Sequence, residues 1–301
     1  MLTNELTSPR RPLLAVWRDY YVLTKPRVVQ LLVFTAVVGM FLATPGFVPW
    51  DVLIFGSLGI GLAAASGAVV NHVLDHRIDA KMTRTRERPL PTGRVSEREA
   101  FVFAAVLGVT GMTTLAVLIN PLTAVLTFIA LIGYAVVYTV FLKRATPQNI
   151  VIGGAAGAAP PLLGWAAVTN EVSGYALLLF LIVFTWTPPH FWALAIARKD
   201  DYEEAGVPML PVTHGIEMTK SFIVLYTILL IIVSLLPYLT GMAGVLYLLG
   251  AVLLGGGFLY YALRLKFVEN GQVAMKTFAY SITYLIALFS FLLVDHYIPA
   301  F

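Results

Sequence analysis

The 301 residues are 59% hydrophobic and only 12% charged, with 20 Lys and Arg against 16 Asp and Glu and no cysteine. Globular domains average roughly 25% charged residues, so this composition excludes a soluble enzyme, a disordered chain and a nucleic-acid binder. The missing cysteine excludes disulfides, thiolate nucleophiles, Cys-ligated iron–sulfur clusters and covalent c-type haem attachment.

At about 20 apolar residues per bilayer crossing, the hydropathy pattern predicts an all-α integral membrane protein, a bundle of about nine transmembrane helices. Residues 1–26 read as a cytoplasmic N-terminal tail and 27–301 as one intramembrane domain. The tail region carries Arg10, Arg11, Arg18, Lys25 and Arg27 without an apolar core, so no cleavable signal is expected. The predicted spans are 27–44, 51–73, 98–119, 121–142, 148–168, 174–197, 218–239, 243–264 and 275–296. The break between the third and fourth rests on Asn120-Pro121, because proline lacks the N–H a continuous helix needs.

The charge map tests this parse. All 20 basic residues fall in the N-terminal tail or in the 2–3, 4–5, 6–7 and 8–9 loops, and 13 of the 16 acidic residues share that face. The positive-inside rule then puts the N-terminus in the cytoplasm and the C-terminus outside. The chemistry belongs on the cytoplasmic face, since the outer loops are only a few residues long.

Within the 2–3 region the constellation Asn71-x-x-x-Asp75-x-x-x-Asp79 stands out. A spacing of four advances a helix by about 400°, so the three residues share one slowly drifting face, about 12 Å long. Two carboxylates without thiols suit an oxygen-ligated Mg²⁺, usually completed by substrate phosphates. Lys81, Arg84, Arg86 and Arg88 follow directly and could neutralise such phosphates. An ordinary charged helix end accounts for Asp79 and the arginines but not for polar residues at a span end. A second acidic cluster, Asp200, Asp201, Glu203 and Glu204, follows span 6 on the same face. Two acidic patches there could clamp one diphosphate through metal, with Asp75, Asp79 and Asp201 as ligands.

His72 and His76, also four apart, read as hydrogen-bonded support for the carboxylates. His190 follows Pro188-Pro189 inside span 6, beside Trp186, Phe191 and Trp192. Those prolines predict a break in the helix, and the histidine either satisfies it or contacts a large acceptor. The small-residue run from Gly153 to Pro161 predicts close packing on span 5, with a flat ligand as the alternative. Tyr134 and Tyr138 are core residues or a shield for an allylic cation.

The stripe and the second acidic loop resemble the UbiA superfamily of intramembrane prenyltransferases. Thr24-Lys25-Pro26-Arg27 and the segments at 71–93, 138–165 and 186–211 are similar to its haem branch, the protohaem IX farnesyltransferases (haem O synthases). The resemblance implies a UbiA-like fold and a multi-pass location in the bacterial cell inner membrane. It implies transfer of farnesyl from farnesyl diphosphate to a haem B vinyl group, with water addition, giving haem O. It also implies Mg²⁺ and a site of Asn71, Asp75, Asp79, Asp200, Asp201 and Glu204. Beyond the substrates and the lipid bilayer, haem A synthase or terminal oxidase biogenesis proteins are the implied partners. Two alternatives stay open: a UbiA-type enzyme for another aromatic acceptor such as a hydroxybenzoate, and a polytopic transporter. A transporter needs ionisable groups near the midplane, whereas these carboxylates crowd one face.

Overall fold

The computed structural model describes residues 12–268 and 271–298; Arg10 and Arg11 lie outside the described residues. Among these there are helices and turns and no strand. Eight helices are long and apolar enough to cross a membrane. In chain order with their short companions they are α3 (Val52–Asp79), α4 (Glu97–Ile119), α5 (Pro121–Ala145), α6 (Asn149–Thr169), α7 (Gly174–Ala197), α10 (Ile216–Leu239), α11 (Val245–Phe267) and α12 (Gln272–His296). Ahead of them α1 (Leu13–Leu23) and α2 (Pro26–Leu42) meet at a 52° bend, and the pair together is long and apolar enough for a ninth crossing. Short helices α8 (Lys199–Glu204) and α9 (Leu210–Thr213) fold over the bundle between α7 and α10.

The bend between α1 and α2 has a local cause. Pro26 is the first residue of α2, and a proline drives the residue before it out of the helical region. Lys25 leaves the helix in the left-handed conformation, φ 50°, and its side chain reaches Asn71 and Tyr134 across the bundle end. The expected featureless tail is in fact helical from Leu13: Asp19 is buried against Arg94 at 3.1 Å, while Leu13, Leu14 and Trp17 face outward. Adjacent Arg18 and Asp19 interrupt its apolar run, which is too short to read as a span.

Asn120 ends α4 and starts α5. Its Oδ1 accepts from the Thr123 N–H at 2.8 Å and its Nδ2 donates to Ala166 at 3.0 Å, so the predicted break stands. By contrast α7 runs unbroken through Pro188 and Pro189. The predicted interruption is absent because both prolines are buried among neighbouring helices, which hold the backbone on course.

Neighbouring helices close into a ring: α2 against α3 and α6, α6 against α7, α7 against α10 and α12, and α11 between α10 and α12. The α2–α6 seam is the tightest. A Cβ on Gly164 would sit 1.9 Å from the Ala36 carbonyl oxygen, and one on Gly39 2.1 Å from that of Pro161. Within the predicted small-residue run the packing is uneven: a Cβ on Gly153 would meet Tyr138 at 2.2 Å, whereas one on Gly157 would meet nothing within 4 Å. At the far end His296 Nε2 meets the Thr44 carbonyl at 2.9 Å, placing the end of α12 beside the α2–α3 connection. The end of α12 thus lies at the opposite end of the bundle from Asp19 of α1, which meets Arg94.

Candidate active site

The predicted second span ends near residue 73, but α3 continues to Asp79, so the whole acidic stripe is helical. All three side chains are buried: Asn71 is 5%, Asp75 3% and Asp79 4% exposed. Buried carboxylates need compensation, and cations remote in sequence supply it. The Asn71 amide donates to Asp75 Oδ2 at 2.7 Å and to Thr139 Oγ1 at 3.2 Å. Lys143 donates to the same Asp75 oxygen at 2.6 Å. Lys25 donates to Asn71 Oδ1 and lies 3.4 Å from the Tyr134 hydroxyl. Arg88 donates to Asp79 Oδ2 at 2.7 Å, and the Thr85 hydroxyl caps the Asp79 carbonyl at 2.9 Å.

Of the four basic residues after the stripe, only Arg88 touches it. Lys81, Arg84 and Arg86 are exposed, and Arg86 faces Glu87 at 3.8 Å. Arg84 and Arg88 act instead on Tyr202 of α8, whose hydroxyl burial pushes above its ordinary value while both guanidinium groups pull the other way. Tyr202 is buried in one apolar cluster with Ile78, Met82, Val207 and Met209. The two acidic segments are therefore packed together, as their shared face suggests. Asp201 is half-buried with an orphaned Oδ2; Asp200 and Glu204 are exposed.

The histidines divide. His72 is 1% exposed, with Nδ1 3.8 Å from Asp79 Oδ2, so it does stand behind the stripe, but neither ring nitrogen is hydrogen-bonded. His76 points elsewhere: its Nε2 meets Glu97 at 3.1 Å and its Nδ1 lies 2.9 Å from the Val73 carbonyl. His190 is sandwiched between Trp186 and Phe278, with ring centroids at 4.2 and 4.6 Å. Its Nδ1 shares a 2.6 Å hydrogen bond with the Ser281 hydroxyl, leaving Nε2 for any further partner.

Lys25, Lys143 and Thr139 are the site residues that sequence reasoning missed. Each is an ionisable or polar group at a helix end or inside a span, a signal that by itself asks for a functional explanation. Thr139 and the stacked pair Tyr134 and Tyr138, 5.8 Å apart, ride on a π-helical stretch, Gly133–Leu142, of α5. Such wide turns recur at functional sites because they re-aim side chains.

Beneath this polar end an apolar cavity opens between α2, α3, α5 and α6. Lys25 and Tyr134 stand at its mouth, Gly157 and Pro160 on its wall, and Leu32, Ile60, Thr127 and Leu163 at its depth. A charged mouth on an apolar shaft matches a ligand with an anionic head and a hydrocarbon tail.

Among the described residues, no three His, Asp or Glu side chains converge as a ready-made metal cage. The donor chemistry nevertheless fits Mg²⁺, which is commonly held by one or two carboxylates together with substrate phosphates. Asp75 Oδ1 and Asp201 Oδ2 are both buried without a hydrogen-bond partner and are the oxygens available for it.

The model of the UbiA prenyltransferase family matches residues 32–292. This chain belongs to that family. Two curated UbiA-type relatives show how near it lies to one branch. The protoheme IX farnesyltransferase of Nitrosococcus oceani is 60% identical over 97% of this chain and 97% of its own length. That of Methylococcus capsulatus is 60% identical over 99% of both chains. Among solved structures, digeranylgeranylglyceryl phosphate synthase superposes with a TM-score of 0.78 at 20% identity, covering 94% of this chain and 99% of the other. A UbiA homologue from Archaeoglobus fulgidus bound to GPP and Mg²⁺ gives 0.64 at 19% identity, covering 91% and 99%. At such identities these two establish the UbiA fold alone.

Proposed function

We propose that this chain is a protohaem IX farnesyltransferase: it joins the farnesyl group of farnesyl diphosphate to a vinyl group of haem B, adds water, and releases haem O and diphosphate. The observation that carries this is the 60% identity with protoheme IX farnesyltransferases over 97% of the chain. The site supports it. The diphosphate head belongs at the polar mouth, where Lys25, Lys143 and Arg88 turn from Asn71, Asp75 and Asp79 toward its oxygens. The farnesyl tail belongs in the cavity below. Asp75 and Asp201 hold Mg²⁺, with Asp79 positioned by Arg88; the metal supplies charge neutralisation at the departing diphosphate.

Breaking the allylic C1–O bond leaves a carbocation that must not meet water early. The apolar walls exclude water, and the stacked Tyr134 and Tyr138 rings offer π faces to the charge. The vinyl π electrons bond its terminal carbon to C1, leaving the adjacent carbon cationic and stabilised by the porphyrin; water adds there and releases a proton to the departed diphosphate or solvent, giving the alcohol. Haem B sits against α7, with His190 Nε2 toward it. The protein is a multi-pass membrane protein, and we place its N-terminus and its active site on the cytoplasmic side.

Purified protein given haem B, farnesyl diphosphate and Mg²⁺ should form haem O, measured by extraction and chromatography. Prenylated hydroxybenzoate without haem O would leave a UbiA prenyltransferase of another acceptor.

A further inference from the structure

We infer that the floor of the apolar cavity measures the prenyl chain, with Ile60 and Leu163 as the residues that set its length. This deepens the assignment of that cavity to the diphosphate's hydrocarbon tail and rests on it.

Four helices contribute to the cavity in matched register. On α2 it runs from Lys25 to Leu32, on α3 from Ala68 to Ile60, on α5 from Tyr134 to Thr127, and on α6 from Ala156 to Leu163. Each stretch spans seven or eight residue steps, about 10–12 Å at the α-helical rise, so the four walls are nearly equal in length. A shaft whose walls stop together has a floor rather than a taper.

Packing immediately beneath explains why. Ile60 is 2% and Leu163 3% exposed, and both belong to the central apolar cluster. One turn below Leu32, the Ala36 carbonyl lies against Gly164, at a separation where a Cβ would meet that oxygen at 1.9 Å. The α2–α6 seam therefore closes directly under the two floor residues. Higher up the helices stand apart, and a Cβ on Gly157 would meet nothing within 4 Å. The small residues of α6 thus divide their work: Gly164 seals the bottom and Gly157 keeps the shaft open.

A tail that reaches this floor is discriminated by steric fit. Hydrophobic pockets separate ligands differing by a single methylene about 10- to 200-fold, so a whole extra isoprene unit is well within reach of such a floor. The competing arrangement has a longer tail leaving sideways between the helices into the bilayer, in which case the floor measures nothing.

The test uses the full-length protein in detergent with geranyl, farnesyl or geranylgeranyl diphosphate, Mg²⁺ and haem B, reading both diphosphate release and prenylated haem. Ratios of kcat/KM between chain lengths within one preparation cancel differences in folded fraction. Wild type should favour farnesyl over geranylgeranyl. Ile60→Ala and, as an independent second variant, Leu163→Ala should raise the geranylgeranyl-to-farnesyl ratio about tenfold or more. Gly157→Leu should lower the farnesyl-to-geranyl ratio by filling the shaft midway. If Gly157→Leu shifts its ratio but neither floor variant does, the tail site stands and the floor is not the ruler. If no variant moves any ratio, the cavity is not the tail site and its assignment falls with the inference. Wild type using geranylgeranyl as readily as farnesyl overturns the ruler in favour of lateral exit.

Discussion

Lys143 Nζ lies 2.6 Å from Asp75 Oδ2, joining the end of α5 to the middle of the acidic stripe across 68 residues of sequence. Both side chains are desolvated, at 13% and 3% exposure, so neither charge is tolerable alone. Lys25, Asn71, Asp75 and Lys143 form one hydrogen-bonded chain, a preassembled row of cations beside the carboxylate expected to carry the metal.

Removing one partner should therefore cost more than removing both. Lys143→Met strands a buried carboxylate and should destabilise the fold by about 3–5 kcal/mol, read as a lowered Tm in detergent. The double variant Asp75→Asn/Lys143→Met should recover most of that loss. Asp75→Asn alone strands Lys143 and should also melt early, by less because that side chain is the more exposed of the two, and its folded fraction should lose at least about 10²-fold in kcat. A Lys143→Met protein melting at the wild-type temperature would show that the pair is solvated.

The second acidic segment should act through one residue. Asp201 has a buried, unpartnered oxygen, whereas Asp200 and Glu204 are exposed. Asp201→Asn should raise the Mg²⁺ concentration required for half-maximal activity by about 10- to 100-fold, the range of effects seen when a metal site is damaged. Asp200→Asn and Glu204→Gln should fall close to wild type in the same titration, and EDTA should silence all of them until Mg²⁺ is restored. Equal effects at all three positions would mean that the cluster acts as a diffuse charge.

What the sequence made legible follows from how local each signal is. Span positions came through because crossing a bilayer demands a contiguous apolar run, and the stripe because four-residue spacing is intrinsic to a helix. The end of α3 was hidden because its extension to Asp79 depends on Lys25, Lys143 and Arg88, the first two 46 and 68 residues from their partners. Tertiary packing likewise overrode the local rule at Pro188-Pro189. The sequence already names Asp201 as a ligand; what the fold adds is the burial that sets it apart from Asp200, Glu203 and Glu204.

Topology is testable independently of chemistry. If the bent α1–α2 pair counts as one span, the described helices make nine crossings, an odd number that requires the two termini on opposite sides, and the charge pattern of the sequence assigns all 20 basic residues to the N-terminal side. Reporter fusions in the 80–96 loop should be cytoplasmic and those at the C-terminus external. Two fusions reporting the same side would refute the span count, and both reversed would refute only the orientation.

The haem side rests on His190. Its ring is held by Trp186, Phe278 and Ser281, an aromatic sandwich worth about 0.5–1.5 kcal/mol per pair beyond burial. That fixed placement cuts two ways: it preorganises Nε2 as an iron ligand, and it gives the residue a purely structural use. Both predict that His190→Ala melts earlier, so stability alone decides nothing. Ser281→Ala separates them, because it frees Nδ1 without removing Nε2. If His190 ligates haem B, titration of the wild type should give a Soret band that His190→Ala shifts or weakens by an axial-ligand change. Ser281→Ala should keep that band while altering its midpoint, since the hydrogen bond to Nδ1 tunes the ring's basicity. An unchanged haem spectrum and titration in folded His190→Ala would leave the histidine as a brace for α7 and move the haem contact elsewhere in the bundle.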